Sequence, residues 1–128
     1  PVDIVAAEDC TIMFLKGKKL LNTCDNGCKF HHTLIRNLLE IVAQNNMYLN
    51  QKIKYTSRKT TREKLMAYLT DQAKMKGSND FTIPFNRQEL ADYLGVERSA
   101  MSAELGKLTK LGILQTQRSH FTLLKPSD

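Results

Sequence analysis

The chain has 128 residues, of which 41% are hydrophobic and 25% are charged, and its formal net charge is +6. A chain of this length and composition can bury one ordinary core, which excludes a disordered tail. No apolar run approaches the roughly 20 residues that cross a bilayer, and no signal peptide precedes Pro1, so we expect a cytoplasmic protein. Because the sequence starts without a methionine, we expect it to be a fragment or a processed piece.

The positive charge is concentrated in one segment. Residues 52–76 contain eight Lys or Arg and two Asp or Glu, so this segment carries as much net charge as the whole chain. Such a concentration favours a polyanionic partner, with nucleic acid as the leading class. The alternative is a basic face that binds nothing charged.

Two β-rich runs come first along the chain. Residues 2–6 (VDIVA) and 10–15 (CTIMFL) flank the acidic pair Glu8 and Asp9, a pattern that predicts two strands around a turn. Two strands alone are marginal in water. We therefore expect them to belong to a larger sheet.

The next predicted element is a long helix over residues 30–55, whose apolar side chains form two heptad-spaced rows. A helix with two adjacent rows can face its own domain with one and a partner helix with the other. We predict a dimerisation helix, and the alternative is a wide-faced core helix in a monomer. The row predicted to form the dimer interface contains Leu34, Leu38, Ile41, Asn45 and Tyr48. The other row contains Ile35, Leu39, Val42, Asn46, Leu49 and Ile53.

A new helix is predicted after residue 60. Thr60 followed by Glu63 is a capping-box pattern, the buried stripe is supplied by Leu65, Met66 and Leu69, and Gly77 ends the helix. Residues 81–85 (FTIPF) then predict a short strand. Because the start of the helix combines a positive dipole end, free backbone N–H groups and a cation, we predict a phosphate contact there. Its residues are Thr60, Thr61 and Arg62.

Two short helices with a glycine between them follow. Asn86 and Glu89 predict the start of the first, and Gly95 predicts its end in a left-handed conformation. The second is predicted over residues 98–111, and Gly112 closes it. Leu90, Ala91 and Leu94 are expected to be buried in the first helix, and Met101, Leu105 and Leu108 in the second. This spacing is that of a helix-turn-helix, whose second helix lies in the major groove of DNA.

The outward face of the second helix carries small or polar side chains, as a helix that enters a groove requires. Arg98 can donate two hydrogen bonds to guanine, and Ser99 and Ser102 can bond bases or phosphates. A hairpin predicted from residues 113–117 and 120–124 would make the domain a winged helix, with a tip that meets DNA. The alternatives are a solvated helix face and an ordinary turn. The tip residues are Arg118, Ser119 and His120.

Two other kinds of chemistry are weaker candidates. Cys24, Cys28, His31 and His32 are potential ligands for a metal or redox sensor, but their spacing lacks the paired pattern of zinc motifs, and we predict no metal site. Three cysteines are an odd number in a chain with an apolar core, so we expect reduced thiols. No phosphate loop, nucleophile elbow or paired carboxylate appears, so we predict no enzyme.

The segment "RQELADYLGVERS" resembles the DNA-binding domain of the Crp/Fnr family of bacterial transcription regulators. The resemblance extends to residues 1–28, which are similar to the end of the sensor barrel of the family, and to the long helix, which is similar to its dimer helix. It implies that Arg87, beside Gln88, contacts a phosphate. Many members have Glu where Ser99 stands and Arg where Ala103 stands, so we expect a different DNA half-site.

The fold class that we predict is α+β, mainly α: a winged helix-turn-helix that follows a long dimerisation helix and the last strands of a truncated β-barrel. The predicted domains are 1–28 (barrel remnant), 29–56 (dimerisation helix) and 57–128 (winged helix). The predicted function is that of a transcription regulator that binds a two-fold operator as a homodimer under the control of an effector. The partners that we expect are double-stranded DNA and RNA polymerase; no cofactor is identified. The alternative is a winged helix that docks protein.

Overall fold

The structure, a computed structural model, describes residues 3–18 and 28–124, and the chain divides into two compact units, Pro1–Gln44 and Asn45–Asp128. The unit boundary falls inside the first long helix. The helices are α1 (Lys29–Thr56), α2 (Thr61–Lys76), α3 (Arg87–Leu94) and α4 (Arg98–Lys110). The strands are β1 (Asp80–Thr82), β2 (Leu114–Gln117) and β3 (His120–Leu123). The predicted fold, mainly helical with a small sheet, is confirmed.

The first segment differs from the sequence prediction. Residues 3–16 form neither helix nor strand, and their apolar side chains are exposed, with Ile4 at 95% and Phe14 at 91%. A strand is stable only when neighbouring strands satisfy its backbone groups, and no described residue pairs with this segment. The prediction of two strands here is therefore wrong for the described residues.

Helix α1 confirms the long helix predicted over residues 30–55. Its apolar rows are largely uncovered: Ile41 is 53% exposed, Val42 63% and Leu49 55%. Near its end, in contrast, the Tyr55 side chain is only 2% exposed. The last turn of α1 is therefore packed into the C-terminal unit, whereas Ile41, Val42 and Leu49 of the two heptad rows remain exposed among the described residues.

Helices α2 and α3 both begin with the predicted capping boxes. The hydroxyl of Thr60 accepts the backbone N–H of Glu63, and the Glu63 carboxylate accepts the backbone N–H of Thr60 in return. Asn86 and Glu89 repeat this arrangement at α3. Such reciprocal bonds satisfy backbone donors that a helix start otherwise leaves unpaired, which is why both boundaries are visible in the sequence.

The turn between α3 and α4 is made by Gly95, at a φ of 59°. The backbone N–H of Gly95 donates to the carbonyls of Ala91 and Asp92, and that of Val96 donates to Ala91. A residue with a side chain is strained in this left-handed conformation, so glycine is the residue that allows the chain to reverse here. The predicted role of Gly95 is confirmed.

The three strands form an antiparallel sheet in the order β1-β3-β2. Strands β2 and β3 are the predicted hairpin, and Gln117 pairs with His120 at its end. Strand β1 pairs with the other edge of β3, with Phe81 opposite Phe121. Strand β1 ends at Thr82, before Pro84, because proline has no N–H group to donate to a sheet. It is therefore shorter than the predicted segment 81–85.

One core joins these elements within the C-terminal unit. The side chains predicted to be buried in the two short helices are all at most 4% exposed. Leu65 and Leu69 of α2 are also fully buried, and Met66 is packed partly against the core. The core further contains an aromatic cluster in which Tyr55 contacts Tyr68 edge-on, with their ring centroids 5.5 Å apart. This core holds α4 by its inner face and leaves its outer face to solvent.

Candidate nucleic-acid interface

The start of α4 is organised by Glu97. Its carboxylate accepts hydrogen bonds from the backbone N–H groups of Ser99, at 2.8 Å, and Ala100, at 3.3 Å, and from the hydroxyl of Ser99. The pKa of Glu97 lies below its ordinary value, mainly because of the hydrogen bond from the Ser99 hydroxyl and further because of those from the two backbone amides. Glu97 is therefore a charged N-cap. The sequence analysis missed it because Ser, Thr, Asp and Asn are the usual capping residues.

Arg98 follows this cap directly and extends into solvent. No described residue pairs with its guanidinium group. Ser102 and Ala103, one turn further along α4, are also exposed, whereas Met101, which directly precedes them, is fully buried. The predicted division of α4 into an inner apolar face and an outer face of small and polar groups is therefore present.

Arg87, at the start of α3, is half-buried and spans to the sheet. Its Nη2 atom donates to the Thr116 hydroxyl at 2.7 Å, and its guanidinium carbon lies 5.0 Å from the ring centroid of Phe121. Burial lowers the pKa of Arg87, but a guanidinium group stays charged at neutral pH. The predicted phosphate contact thus has a second role, because the same side chain fixes the start of α3 to the hairpin.

The tip of the wing places its three predicted residues in different environments. Arg118, at a φ of 54°, is exposed, and its guanidinium group has no partner among the described residues. The Ser119 hydroxyl donates to the carbonyl of Phe85 at 2.9 Å. The His120 Nε2 atom lies 2.8 Å from a carboxylate oxygen of Asp80. The side chains of Ser119 and His120 therefore support the wing, whereas that of Arg118 is available.

An open cleft of about 520 Å³ brings these separate segments together. The start of α3, the start of α4 and the tip of the wing contribute to its lining, and three of the six lining residues are arginines. The lining consists of Asn86, Arg87, Gln88, Arg98, Arg118 and Ser119. Five of these were predicted as DNA-binding residues, and Asn86, predicted as a helix cap, is the sixth.

A second open depression, of about 540 Å³, lies between the start of α2 and the outer face of α4. Its lining contains the predicted phosphate site and four residues of α4: Thr60, Thr61, Arg62, Ala100, Ala103, Glu104 and Lys107. The Glu63 carboxylate takes the backbone N–H of Thr60, so this amide is not available to a phosphate. Lys107 is held 2.6 Å from Glu104, an ion pair that sequence analysis did not identify.

None of the described residues of the predicted dimer row and of the Cys/His segment lines the cleft or the second depression. Tyr48 is 47% exposed and contacts the ring of Tyr93 at a centroid distance of 5.7 Å, so one member of the row also packs within its own chain. Of the four potential metal ligands, Cys24 lies outside the described residues. Within residues 3–18 and 28–124, no three His, Cys, Asp or Glu side chains are grouped so that they could hold a metal ion.

A profile of the Crp-like helix-turn-helix domain matches residues 63–128, just over half of the chain. The chain belongs to the Crp-like helix-turn-helix family. This membership indicates a helix-turn-helix DNA-binding domain in residues 63–128. The matched region begins in the first turn of α2 and contains α3, Gly95, α4 and the wing. All the residues that line the cleft described above therefore belong to the Crp-like domain. The resemblance seen in the sequence is confirmed for this part of the chain.

A solved structure similar to this chain is that of a proposed transcriptional regulator of the Crp/Fnr family from Eubacterium rectale. The identity is 17% and the TM-score is 0.49, and the alignment covers 78% of this chain and 44% of that one. The chain thus spans less than half the length of that regulator. No curated protein matches the sequence significantly. None of the helices that the structure describes is long and apolar enough to cross a membrane.

Proposed function

We propose that the chain is the DNA-binding part of a regulator that recognises a two-fold operator as a homodimer, under the control of an effector. One observation carries the DNA-binding part of this proposal: the cleft in which Arg87, Arg98 and Arg118 meet from three separate elements. Three guanidinium groups in one open cleft suit the phosphates and base edges of a duplex. A docking surface for protein would instead expose aromatic anchors.

Sequence readout is proposed to come from the exposed face of α4 in the major groove. Arg98 is the principal reader, because its free guanidinium group can pair with guanine O6 and N7. Ser102 is placed to bond a base or a phosphate. The hydroxyl of Ser99 donates to Glu97, so Ser99 can offer DNA its acceptor capacity. Arg87 and Arg118, with Gln88, line the same cleft as Arg98 and would contact the backbone beside it.

Further backbone contacts are proposed at the start of α2. Arg62, which is exposed, lies beside the outer face of α4 in the second depression. A phosphate adjacent to the groove occupied by α4 would meet this cation and the hydroxyl of Thr61. Such contacts fix the register of a protein on a duplex without reading its sequence.

The partner proposed for α1 is a second copy of the same helix. Its apolar positions recur with the alternating spacing of four and three residues that is typical of coiled coils. Six of them are exposed: Leu39, Ile41, Val42, Tyr48, Leu49 and Ile53. Asn45 within the predicted interface row suits a polar contact that sets the register. A two-fold pair of α1 helices would present two copies of α4 to half-sites that are about one helical turn apart.

The remaining parts of the proposal rest on the resemblance seen in the sequence. They are the three-domain division at 1–28, 29–56 and 57–128, the sensing of an effector by the barrel to which residues 1–28 are similar, and a contact with RNA polymerase. The cytoplasmic location, expected from the composition of the sequence, stays a prediction. The C-terminal unit of the structure includes residues 45–56 of α1, so a signal that moves this helix would move the DNA-binding domain with it.

The DNA-binding proposal is tested by selecting bound sequences from a random duplex pool and then titrating the selected site. We expect log Kd to rise linearly with log salt, and we expect Arg98→Ala to weaken binding to the selected site by about 1–3 kcal/mol more than binding to random DNA. Arg36→Ala, which removes a cation from α1, is the control. Equal losses on both duplexes would contradict the assigned role of Arg98.

The dimer proposal is tested by sedimentation of two α1 variants. Ile41→Glu places a charge in the predicted interface row, whereas Ala43→Glu places the same charge on the opposite side of the helix, as its periodicity dictates. We expect Ile41→Glu to be monomeric and Ala43→Glu to remain dimeric. A wild-type protein that is monomeric at micromolar concentration would refute the proposal.

A further inference from the structure

Glu97 is the acidic residue that directly precedes the proposed base-reading arginine. Nucleic-acid interfaces are strongly positive, so a carboxylate at this position is unexpected. It is exposed and, as the charged N-cap of α4, stands at the beginning of the helix that is proposed to enter the groove. The chain thus places a fixed negative charge beside Arg98, where duplex phosphates would approach.

The start of a helix ordinarily attracts an anion. Its first backbone N–H groups lack partners within the helix, and the helix dipole adds a partial positive charge there. At α4 these groups are already used: the backbone N–H groups of Ser99 and Ala100 and the hydroxyl of Ser99 all donate to one oxygen of Glu97. These three donors are the kind that a backbone phosphate would accept from.

The other helix starts in this unit are capped differently. Thr60 and Asn86 cap α2 and α3 with neutral side chains, and the acidic residue of each box lies three positions inside the helix. At α4 the cap itself is the carboxylate. The capping side chains of Thr60 and Asn86 are uncharged, although both lie beside the proposed interface. Among these three helices, α4 is therefore the one whose capping side chain is itself charged.

We propose that Glu97 is a specificity-determining residue that weakens binding to arbitrary duplex DNA. Its carboxylate fills the anion site at the start of α4 and repels a phosphate that approaches this end of the helix. Binding to random DNA depends mainly on phosphate contacts, so the repulsion acts most strongly on complexes in which the start of α4 faces the phosphate backbone. In the operator complex, the base contacts of Arg98 hold this end of the helix over the base edges, so the repulsion costs the operator less. This inference rests on the proposed function, since it assumes that α4 faces DNA.

The test compares Glu97→Gln and Glu97→Ser with the wild-type full chain. Glutamine keeps the shape and an acceptor oxygen while it removes the charge, and serine keeps a neutral cap but releases the Ser99 hydroxyl. Glu8→Gln, which makes the same charge change at an exposed site outside the Crp-like domain, is the control. Dissociation constants are measured for a random 30-base-pair duplex and for the selected operator over a series of salt concentrations, with thermal melts to verify folding.

We expect both Glu97 variants to bind the random duplex roughly 2- to 5-fold more tightly at low salt, the range for one charge at a helix end. The gain should shrink as salt screens the charge, and it should exceed that of Glu8→Gln. The ratio of operator to random affinity should fall. For Glu97→Ser, the salt dependence should also steepen by up to about 0.9 in the log–log slope, which corresponds to one additional phosphate contact.

Other results would overturn the inference. Unchanged binding of Glu97→Gln to the random duplex would show that the carboxylate does not oppose phosphates. A loss confined to the operator would mean that Glu97 accepts a hydrogen bond from a base such as cytosine. In both cases the wild-type protein still binds DNA, so the proposed function stands. A wild-type protein that binds no duplex overturns the proposed function and this inference together.

Discussion

The end of α1 is held against α2 in part by a hydrogen-bond network that can be tested by removing a single oxygen atom. The Tyr55 hydroxyl donates to a carboxylate oxygen of Asp71 at 3.1 Å, and the same oxygen accepts from Lys54 at 2.5 Å. Tyr55→Phe deletes the hydroxyl but keeps the ring, which packs edge-on against Tyr68. Any loss of stability therefore reports the hydrogen bond and not the packing.

The structure sets the expected magnitude. A hydrogen bond to a charged group contributes about 1.5–3 kcal/mol when it is well buried. The Tyr55 side chain is 2% exposed, but that of Asp71 is 22% exposed and keeps its bond to Lys54 in the variant. Solvent and Lys54 therefore compensate part of the loss, and we expect Tyr55→Phe to lower the free energy of unfolding by about 1–2 kcal/mol.

The assay is urea unfolding followed by far-ultraviolet circular dichroism at a fixed protein concentration, because dimerisation would make stability depend on concentration. With a slope of about 2 kcal/mol per molar urea, the midpoint should fall by about 0.5–1 M without a change in slope. Tyr48→Phe is the matched control. Tyr48 lies on the same helix, is 47% exposed and contacts Tyr93 through its ring, so we expect a change within about 0.5 kcal/mol.

A double-mutant cycle with Asp71→Asn isolates the pair. We expect a coupling energy of about 1 kcal/mol between residues 55 and 71, because they share one hydrogen bond. Additive effects, or a Tyr55→Phe variant as stable as the wild type, would refute the argument that this bond helps to hold the end of α1 against α2.

Three further predictions concern the turn at Gly95, the loss of stability at acidic pH and the start of α3. We expect Gly95→Ala to cost about 1–2 kcal/mol from left-handed strain, although its Cβ would have room, and thermal melts will measure this loss. Burial acts to raise the pKa of Asp71, but hydrogen bonds from Lys54 and Tyr55 hold it below its ordinary value. The contribution of Asp71 to stability is therefore present above about pH 4 and is lost as the pH falls through its lowered pKa. In urea titrations between neutral and acidic pH, the free energy of unfolding of Asp71→Asn should therefore decline less steeply below about pH 4 than that of the wild type. Arg87→Lys should lower the free energy of unfolding by about 1 kcal/mol, because lysine cannot combine the planar contact over an aromatic ring with the same hydrogen bond; an unchanged urea midpoint would contradict this.

Local signals predicted most of the C-terminal unit. Capping residues, glycines and apolar spacing act within a few residues of one another, so Thr60 and Asn86 identified the starts of α2 and α3, and Gly95 the end of α3, before any contact was known. The same signals failed for residues 3–16. Apolar, β-rich side chains favour a strand, but the strand also needs neighbours, and their presence cannot be deduced from the segment itself.

The sequence by itself determined the helix-turn-helix, the inner face of α4 and the hairpin, because periodicity and turn chemistry are properties of neighbouring residues. Tertiary structure decided which predicted DNA-binding side chains are available. It gave Arg98 and Arg118 no partner within residues 3–18 and 28–124, bound Arg87 to Thr116, and directed the Ser119 hydroxyl to the carbonyl of Phe85. These pairings join residues about 30 positions apart, and such contacts depend on how the elements pack, for which a single sequence carries no local signal.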